Sequence, residues 1–200
     1  MRKQIIVIHG GDCFTTYEEY ISFLRNYEIN NLSYFEKRGW KSTLQEKLGD
    51  DFEVIAPQMP NKFNAKYLEW KIWFEKIFQF LNDDVILLGH SLGGAFLAKY
   101  LSENIFPKLI RAIFLISAPY NTDYDCALVE FAPSVSLTNF EKQCGKVFLY
   151  HSKDDPVVAY TEFEKYKKEL PHVIERVFEN RGHFIDEEFP EIIEDIKNLI

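Results

Sequence analysis

The chain has 200 residues, of which 46% are hydrophobic and 16% aromatic, and this composition predicts one globular domain over residues 1–200 rather than a disordered chain. The formal net charge is −8 and no basic block is present, so nucleic acid is not an expected partner. Three widely spaced cysteines without metal-ligand spacing argue against a disulfide framework and favour the reducing cytoplasm. No apolar run is long enough for a signal peptide or a membrane span, so we expect no membrane insertion.

Short apolar runs alternate with helical patterns along the chain. Strands are predicted at residues 5–8, 53–56, 85–88, 112–116, 147–150 and 174–178. Helices are predicted at residues 17–27, 40–48, 65–81, 92–103 and 161–170, with a last helix that begins near Pro190. Within 65–81, one core-facing stripe is expected, formed by Trp70, Trp73, Phe74, Ile77 and Leu81. This alternation predicts a three-layer α/β sandwich, in which helices cover both faces of a parallel six-stranded sheet.

Two stretches, 26–39 and 119–144, lack a clean period. Loops that leave the carboxyl ends of strands in such sheets line the ligand crevice. Because 119–144 follows such an end, we expect it to form a small partial cover over the site. The alternative is a surface excursion that has no contact with the substrate.

The most informative motif is Gly-His-Ser-Leu-Gly, which places Ser91 between a predicted strand and a predicted helix. A Gly-x-Ser-x-Gly turn at such a junction holds the serine on a sharp bend, with its hydroxyl clear of the sheet edge. Gly89 and Gly93 lack the side chains that would collide in this turn. Cys13 follows a Gly-Gly turn but has no such elbow, so it is expected to be a small, half-buried thiol. The motif predicts that Ser91 is a nucleophile.

A nucleophilic serine needs a base, and His183 is the best placed of the five histidines. It follows the last predicted strand and comes directly after Gly182. The strongest rival is His151, which closes the preceding strand. His9 is expected to shape the loop after the first strand, and the side chain of His90 is expected to point away from the nucleophile.

The acid that orients the base should follow the fifth strand, where Asp154 and Asp155 stand side by side. Asp155, directly before Pro156, is the predicted acid, and Asp154 is the alternative. One of the two carboxylates would accept the histidine N–H, while the other caps a turn or stays in solvent.

Two backbone N–H groups should form an oxyanion hole. Leu92 follows the nucleophile at the helix start, where unpaired amides point outward. The second donor is expected in His-Gly-Gly-Asp after the first strand, at Gly11, with Asp12 as the fallback. This loop lacks the Gly-x-Gly-x-x-Gly spacing of a dinucleotide site.

The motifs Ile-His-Gly-Gly, Gly-His-Ser-Leu-Gly-Gly, Asp-Asp-Pro-Val-Val and Gly-His-Phe together resemble the α/β-hydrolase superfamily. The chain order serine, aspartate, histidine agrees with that arrangement. The short chain starts at what would be the third strand of the full fold, and it resembles the compact serine hydrolases of the retinoblastoma-binding-protein-9-like group. The resemblance implies the α/β-hydrolase fold without its first two strands, no large cap domain, and hydrolysis of small carboxylic esters or related acyl compounds.

The predicted function is therefore acyl transfer to water by Ser91, His183 and Asp155 through an acyl-enzyme, with no metal and no organic cofactor. A thioesterase, acyltransferase or amidase would use the same three residues. A binding module that keeps the hydrolase fold, with a protein partner the sequence does not identify, is the alternative outside enzymes. A flavodoxin-like ligand-binding domain would explain the parallel sheet but not the serine flanked by glycines.

Overall fold

The computed structural model describes residues 2–32, 39–121 and 126–199. Six strands form one sheet with every neighbouring pair parallel, in the order β2-β1-β3-β4-β5-β6. The strands are β1 Lys3–Ile8, β2 Phe52–Ile55, β3 Val85–His90, β4 Ile110–Ile116, β5 Cys144–Ser152 and β6 Ile174–Phe178. The helices are α1 Tyr17–Asn26, α2 Trp40–Leu48, α3 Tyr67–Glu75, α4 Leu92–Glu103, α5 Thr138–Gln143, α6 Tyr160–Glu169 and α7 Pro190–Lys197. Short 3₁₀ helices cover Phe78–Phe80 and Cys126–Phe131.

The sheet is buried on both faces because successive residues of its central strands enter two different cores. In β1, Ile6 and Ile8 pack on the side of α3, α4, α5 and α6, whereas Ile5 and Val7 pack on the side of α2 and α7. The predicted parallel six-stranded sheet with helices on both faces is confirmed. None of the helices among the described residues is long and apolar enough to cross a membrane.

The helix predicted at residues 65–81 is shorter than expected. α3 ends at Glu75, and a 3₁₀ helix follows at Phe78–Phe80. Trp70 and Phe74 are fully buried, but Trp73 is 48% exposed, so its place in the core-facing stripe was wrong. Since Trp70 and Phe74 are one i, i+4 pair that faces the core, Trp73 lies on the flank of the helix.

The two irregular stretches differ from each other in the structure. In the 119–144 stretch, residues 122–125 lie outside the described residues, and the rest contains a 3₁₀ helix and α5 that the sequence pattern did not indicate. In the 26–39 stretch, residues 33–38 lie outside the described residues. α1, which precedes that stretch, begins with a capping box between Thr16 and Glu19 and has no buried residue.

Candidate active site

Ser91 lies on the turn between β3 and α4, at the carboxyl edge of the sheet. Its φ of 55° is in the left-handed region, which is costly for a residue with a side chain. Its N–H donates to the carbonyl of Ile116 at 2.8 Å. A Cβ atom on Gly89 would lie 2.6 Å from the carbonyl oxygen of Gly93. A Cβ atom on Gly93 would collide with the carbonyl oxygen of Ile8. The close packing of backbone around the turn holds Ser91 in this conformation.

His183 and Asp155 form a hydrogen-bonded pair at the same edge. His183 follows β6 and Asp155 follows β5, and His183 Nδ1 lies 2.8 Å from Oδ2 and 3.1 Å from Oδ1 of Asp155. An ionised carboxylate only accepts hydrogen bonds, so Nδ1 carries the proton and Nε2 is the basic ring nitrogen. The Asp155 side chain is fully buried.

The Asp155 carboxylate is stabilised in its charged form. Burial alone would raise its pKa, but hydrogen bonds from His183 and from the N–H groups of Val157 and Val158 outweigh burial and lower the pKa to about 2. The nearby Ser117 hydroxyl, a possible donor to the carboxylate, also lowers the pKa of Asp155. This hydroxyl makes no hydrogen bond of ordinary geometry with any described residue. Asp155 is therefore an anion that faces the imidazole near neutral pH.

His183 contacts His90, the residue that precedes Ser91 in the chain. His90 Nε2 lies 2.8 Å from the carbonyl oxygen of His183, and the centroids of the two imidazole rings are 4.9 Å apart. The structure therefore brings Ser91, His183 and Asp155 to one edge of the sheet, although they lie far apart in the chain.

The rival candidates have other partners. Asp154 Oδ1 accepts from Ser152 Oγ at 2.5 Å and from the N–H of Gly182 at 2.9 Å. This carboxylate therefore fixes the loop that carries His183 rather than the imidazole itself. The ring of His151 is buried, and its Nε2 lies 2.9 Å from the carbonyl oxygen of Val158.

The loop after β1 lies against the serine. A Cβ on Gly10 would be 2.9 Å from the Cβ of Ser91, so only glycine allows this approach. The N–H of Asp12 donates to the carbonyl of Lys62 at 2.8 Å, which removes Asp12 as an oxyanion donor. Gly11 lines the same cavity as Ser91 and Leu92. His9 shapes this loop, because its Nδ1 lies 2.6 Å from the carbonyl oxygen of Gly10 and its Nε2 accepts from the N–H of Met59.

A cavity of about 410 Å³ opens at the serine. Its lining residues are Gly11, Asp12, Cys13, Phe14, Phe23, Ser91, Leu92, Pro119, Leu128, Val157, Val158, Ala159 and Glu162. Phe14 lines the cavity, whereas Tyr17 is exposed and Phe131 is in the core. The walls are mainly apolar, which suits an uncharged group of moderate size.

Sequence reasoning missed three residues around the site. Ser117 follows β4 directly, and a polar residue at the carboxyl end of a central strand was a signal that could have indicated it. Glu162 is buried, and its Oε2 accepts from the N–H groups of Tyr120 and Asn121, so it ties the start of the 119–144 stretch to the cavity wall. Lys41 contacts His90 from α2, and nothing in the sequence pattern indicated it.

No ligand set for a metal was found in the described part of the chain, where no three His, Cys, Asp or Glu side chains form a suitable group. Cys13 and Cys144 form no disulfide, and the side chain of Cys126 lies outside the described residues.

Comparisons with known proteins bear on the fold and the family. A family model described as "Serine hydrolase" matches residues 32–193. No curated protein matches the sequence. Among solved structures, the ydeN gene product from B. subtilis has a TM-score of 0.75 at 17% identity, with 98% of each chain covered. A lipase-esterase related protein from Clostridium acetobutylicum has a TM-score of 0.64 at 14% identity, covering 99% of this chain and 94% of the other. The CarC enzyme, a serine hydrolase involved in carbazole degradation, has a TM-score of 0.64 at 13% identity, covering 98% and 90%.

Proposed function

The chain belongs to the serine hydrolase family, and from that premise we propose that it hydrolyses small carboxylic esters through an acyl-enzyme on Ser91. Its six-stranded parallel sheet with helices on both faces matches the fold of its α/β-hydrolase structural neighbours. The observation that supports the proposal is the hydrogen-bonded His183–Asp155 pair at the same edge of the sheet as Ser91, whose φ is 55°. Membership of the retinoblastoma-binding-protein-9-like group, a cytoplasmic location and the absence of nucleic-acid partners stay predictions.

Apart from the ester and water, the proposed reaction needs only groups of this chain. Ser91 Oγ attacks the ester carbonyl carbon while His183 Nε2 takes the hydroxyl proton, and Asp155 stabilises the imidazolium that forms. The carbon–oxygen bond to the alcohol then breaks, and His183 returns the proton to the leaving oxygen. Water attacks the acyl-enzyme with His183 again as the base, and this step releases the acid and regenerates Ser91.

The negative charge on the carbonyl oxygen needs two donors. Leu92 is the first residue of α4, so its N–H has no acceptor within the helix, and the helix dipole favours an anion there. We assign the second donor to the N–H of Gly11, because Gly10 packs directly against Ser91 while the N–H of Asp12 is bonded to Lys62.

The cavity supports an apolar acyl or alcohol group as the part of the substrate next to the ester. Phe14 and Phe23 form one wall, and Val157 and Val158 line it near Asp155. Pro119 and Leu128 also line it, so we propose that the 119–144 stretch partly covers the site. The carboxylates of Asp12 and Glu162 in the same lining disfavour a substrate that carries a negative charge.

The proposal is tested with a fluorophosphonate probe and intact-mass analysis. The wild type should gain one adduct, Ser91→Ala should gain none, and Ser102→Ala should react like the wild type, since Ser102 lies on the same helix but bonds to the carbonyl of Lys99. For an ester that the wild type hydrolyses, Ser91→Ala should lower kcat by on the order of 10⁶-fold. An adduct that persists in Ser91→Ala would refute the assignment.

Thioesterase, acyltransferase and amidase activities would use the same groups. A panel of p-nitrophenyl esters, acyl-CoA thioesters and amides, measured with the wild type and with Ser91→Ala, separates them. We expect the highest kcat/KM on uncharged esters, because the lining next to Ser91 is mainly apolar.

A further inference from the structure

His90 occupies the second position of the Gly-x-Ser-x-Gly turn, and both of its ring nitrogens have partners. Nδ1 lies 3.1 Å from Lys41 Nζ, which comes from the first turn of α2. Nε2 lies 2.8 Å from the carbonyl oxygen of His183. His90 is 5% exposed, so these two groups, rather than solvent, determine the protonation of its ring.

The two partners fix one tautomer of His90. An ammonium group only donates, so Nδ1 accepts, and a carbonyl oxygen only accepts, so Nε2 carries the proton. Burial, and then the charge of Lys41, hold the pKa of His90 well below its ordinary value, so the ring is neutral. Burial also lowers the pKa of Lys41 to about 8, which leaves most of its ammonium form in place at neutral pH.

The bond to the His183 carbonyl acts on a strained segment. Gly182 and Phe184 have φ values of 49° and 51°, so the base lies between two residues in the left-handed region. For Phe184, which has a side chain, such backbone persists only where the surroundings hold it, whereas Gly182 adopts it without strain. Asp154 holds Gly182 by its N–H, and Trp40 Nε1–H donates to the Phe184 carbonyl at 2.9 Å. His90 supplies the bond to the residue between them.

We propose, on the basis of the proposed function, that Lys41 and His90 are positioning residues for His183. Lys41 selects the His90 tautomer with the proton on Nε2, and His90 then fixes the backbone that aims the imidazole between Asp155 and Ser91. Neither residue lines the cavity, so their effect falls on kcat rather than on substrate binding.

Lys41→Met tests the proposal, because methionine keeps an unbranched side chain that is one atom shorter and donates no proton. The expected result is a fall in kcat on the order of 10²-fold, since small misplacement of a reacting group has this effect, with KM within about twofold of the wild type. Lys41→Arg restores a donor and should recover most of the loss. Lys47→Met is the matched control: Lys47 lies on the same helix, but its Nζ pairs with Glu188 at 2.5 Å and does not contact His90. It should leave kcat unchanged.

Two histidine variants separate positioning from folding. The glutamine amide of His90→Gln reaches as far as Nε2 of the imidazole, so this variant should retain much of the activity. The shorter asparagine amide of His90→Asn reaches only as far as Nδ1, so that variant should lose activity. Thermal unfolding of both variants identifies losses that are due to instability. The proposal would be overturned if kcat fell only in proportion to Tm across all the variants, and if His90→Gln and His90→Asn of equal Tm had equal kcat.

The His90 tautomer is a readout that needs no activity. In ¹⁵N-histidine spectra, the wild type should carry the His90 proton on Nε2, and Lys41→Met should shift population toward Nδ1–H. An unchanged tautomer together with full kcat in Lys41→Met would refute the inference while leaving the hydrolase proposal intact. A wild type that neither hydrolyses esters nor reacts with the probe would refute the proposed function, and the spectra would still report whether Lys41 sets the tautomer.

Discussion

Asp155→Asn gives the sharpest test of the proposed triad because the structure separates the two oxygens of this carboxylate. Oδ1 accepts from the N–H groups of Val157 and Val158 at 2.8 and 3.0 Å and lies 3.1 Å from His183 Nδ1, whereas Oδ2 makes the shorter contact with Nδ1, at 2.8 Å. An asparagine keeps its oxygen on the two backbone donors and therefore places its NH₂ group against Nδ1. Since that group only donates, Nδ1 must become the acceptor and the proton moves to Nε2.

The variant thus keeps its fold but holds the imidazole in the wrong tautomer. With the proton on Nε2, that nitrogen has no lone pair to accept the Ser91 hydroxyl proton. A tautomer error of this kind lowers kcat by about 10⁴-fold in serine proteases, which is a loss of about 5 kcal/mol of transition-state stabilisation. Steady-state hydrolysis of p-nitrophenyl acetate measures kcat and KM, and we expect KM to change little.

Asp154→Asn is the matched control, since it is the adjacent aspartate. Its Oδ1 accepts both the Ser152 and Gly182 bonds, and an amide oxygen can keep both. We expect its kcat to fall by less than about tenfold. If Asp154→Asn were the more damaging variant, or if Asp155→Asn retained its kcat with a native Tm, the assignment of the acid would be wrong.

Three further predictions concern stability and the cavity. The pKa of Asp155 is about 2 in the folded protein, below its ordinary 3.8, so the stability that its ionised form contributes is present above about pH 4 and is lost as the pH falls toward 2. In urea unfolding, the free energy of unfolding should therefore fall less between about pH 4 and about pH 2 in Asp155→Asn than in the wild type. Equal losses of stability in the two proteins would contradict this. Gly93→Ala, whose methyl collides with the Ile8 carbonyl, should destabilise by about 3 kcal/mol. Gly182→Ala should destabilise by only about 1 kcal/mol, because φ is 49° there but no atom lies within 4 Å of the new methyl. Equal losses of stability for Gly93→Ala and Gly182→Ala in denaturant titrations would refute the argument that the collision at Gly93 sets the larger cost. Leu128→Trp should fill the cavity and lower kcat/KM for p-nitrophenyl octanoate at least about tenfold, with little change for the acetate; parallel losses on both esters would place the acyl group elsewhere.

The sheet could be predicted from the sequence because its central strands are buried on both faces. β3 has no exposed residue, so it stands out as an unbroken apolar run. The ends of strands were harder to predict than their centres. β5, for example, begins at Cys144, and its start was predicted three residues too late because the exposed Gly145 and Lys146 break the apolar pattern. α5 was missed because it has only six residues and one buried side chain, Phe140, too few to give a helical period.

The candidate site was predictable where residue type and strand order carry the information. Ser91 has a motif around it, and His183 follows the last strand after a glycine. The choice between Asp154 and Asp155 rested on the position before Pro156, whereas in the structure the turn after β5 decides which carboxylate faces His183 and which faces Gly182. Lys41 had no signal, because its contact with His90 depends on how α2 packs against the sheet edge and on no local pattern.

α1 lines part of the cavity without being part of the hydrophobic core. It contributes Phe23 to the cavity, yet no residue of this helix is buried, whereas the turn that carries Ser91 is locked to β1 through Gly93. We therefore expect substitutions on the side of α1 that faces the cavity to change the cavity volume with little loss of stability. Substitutions in α1 would then change which substrates fit the cavity, while Ser91, His183 and Asp155 stay the same.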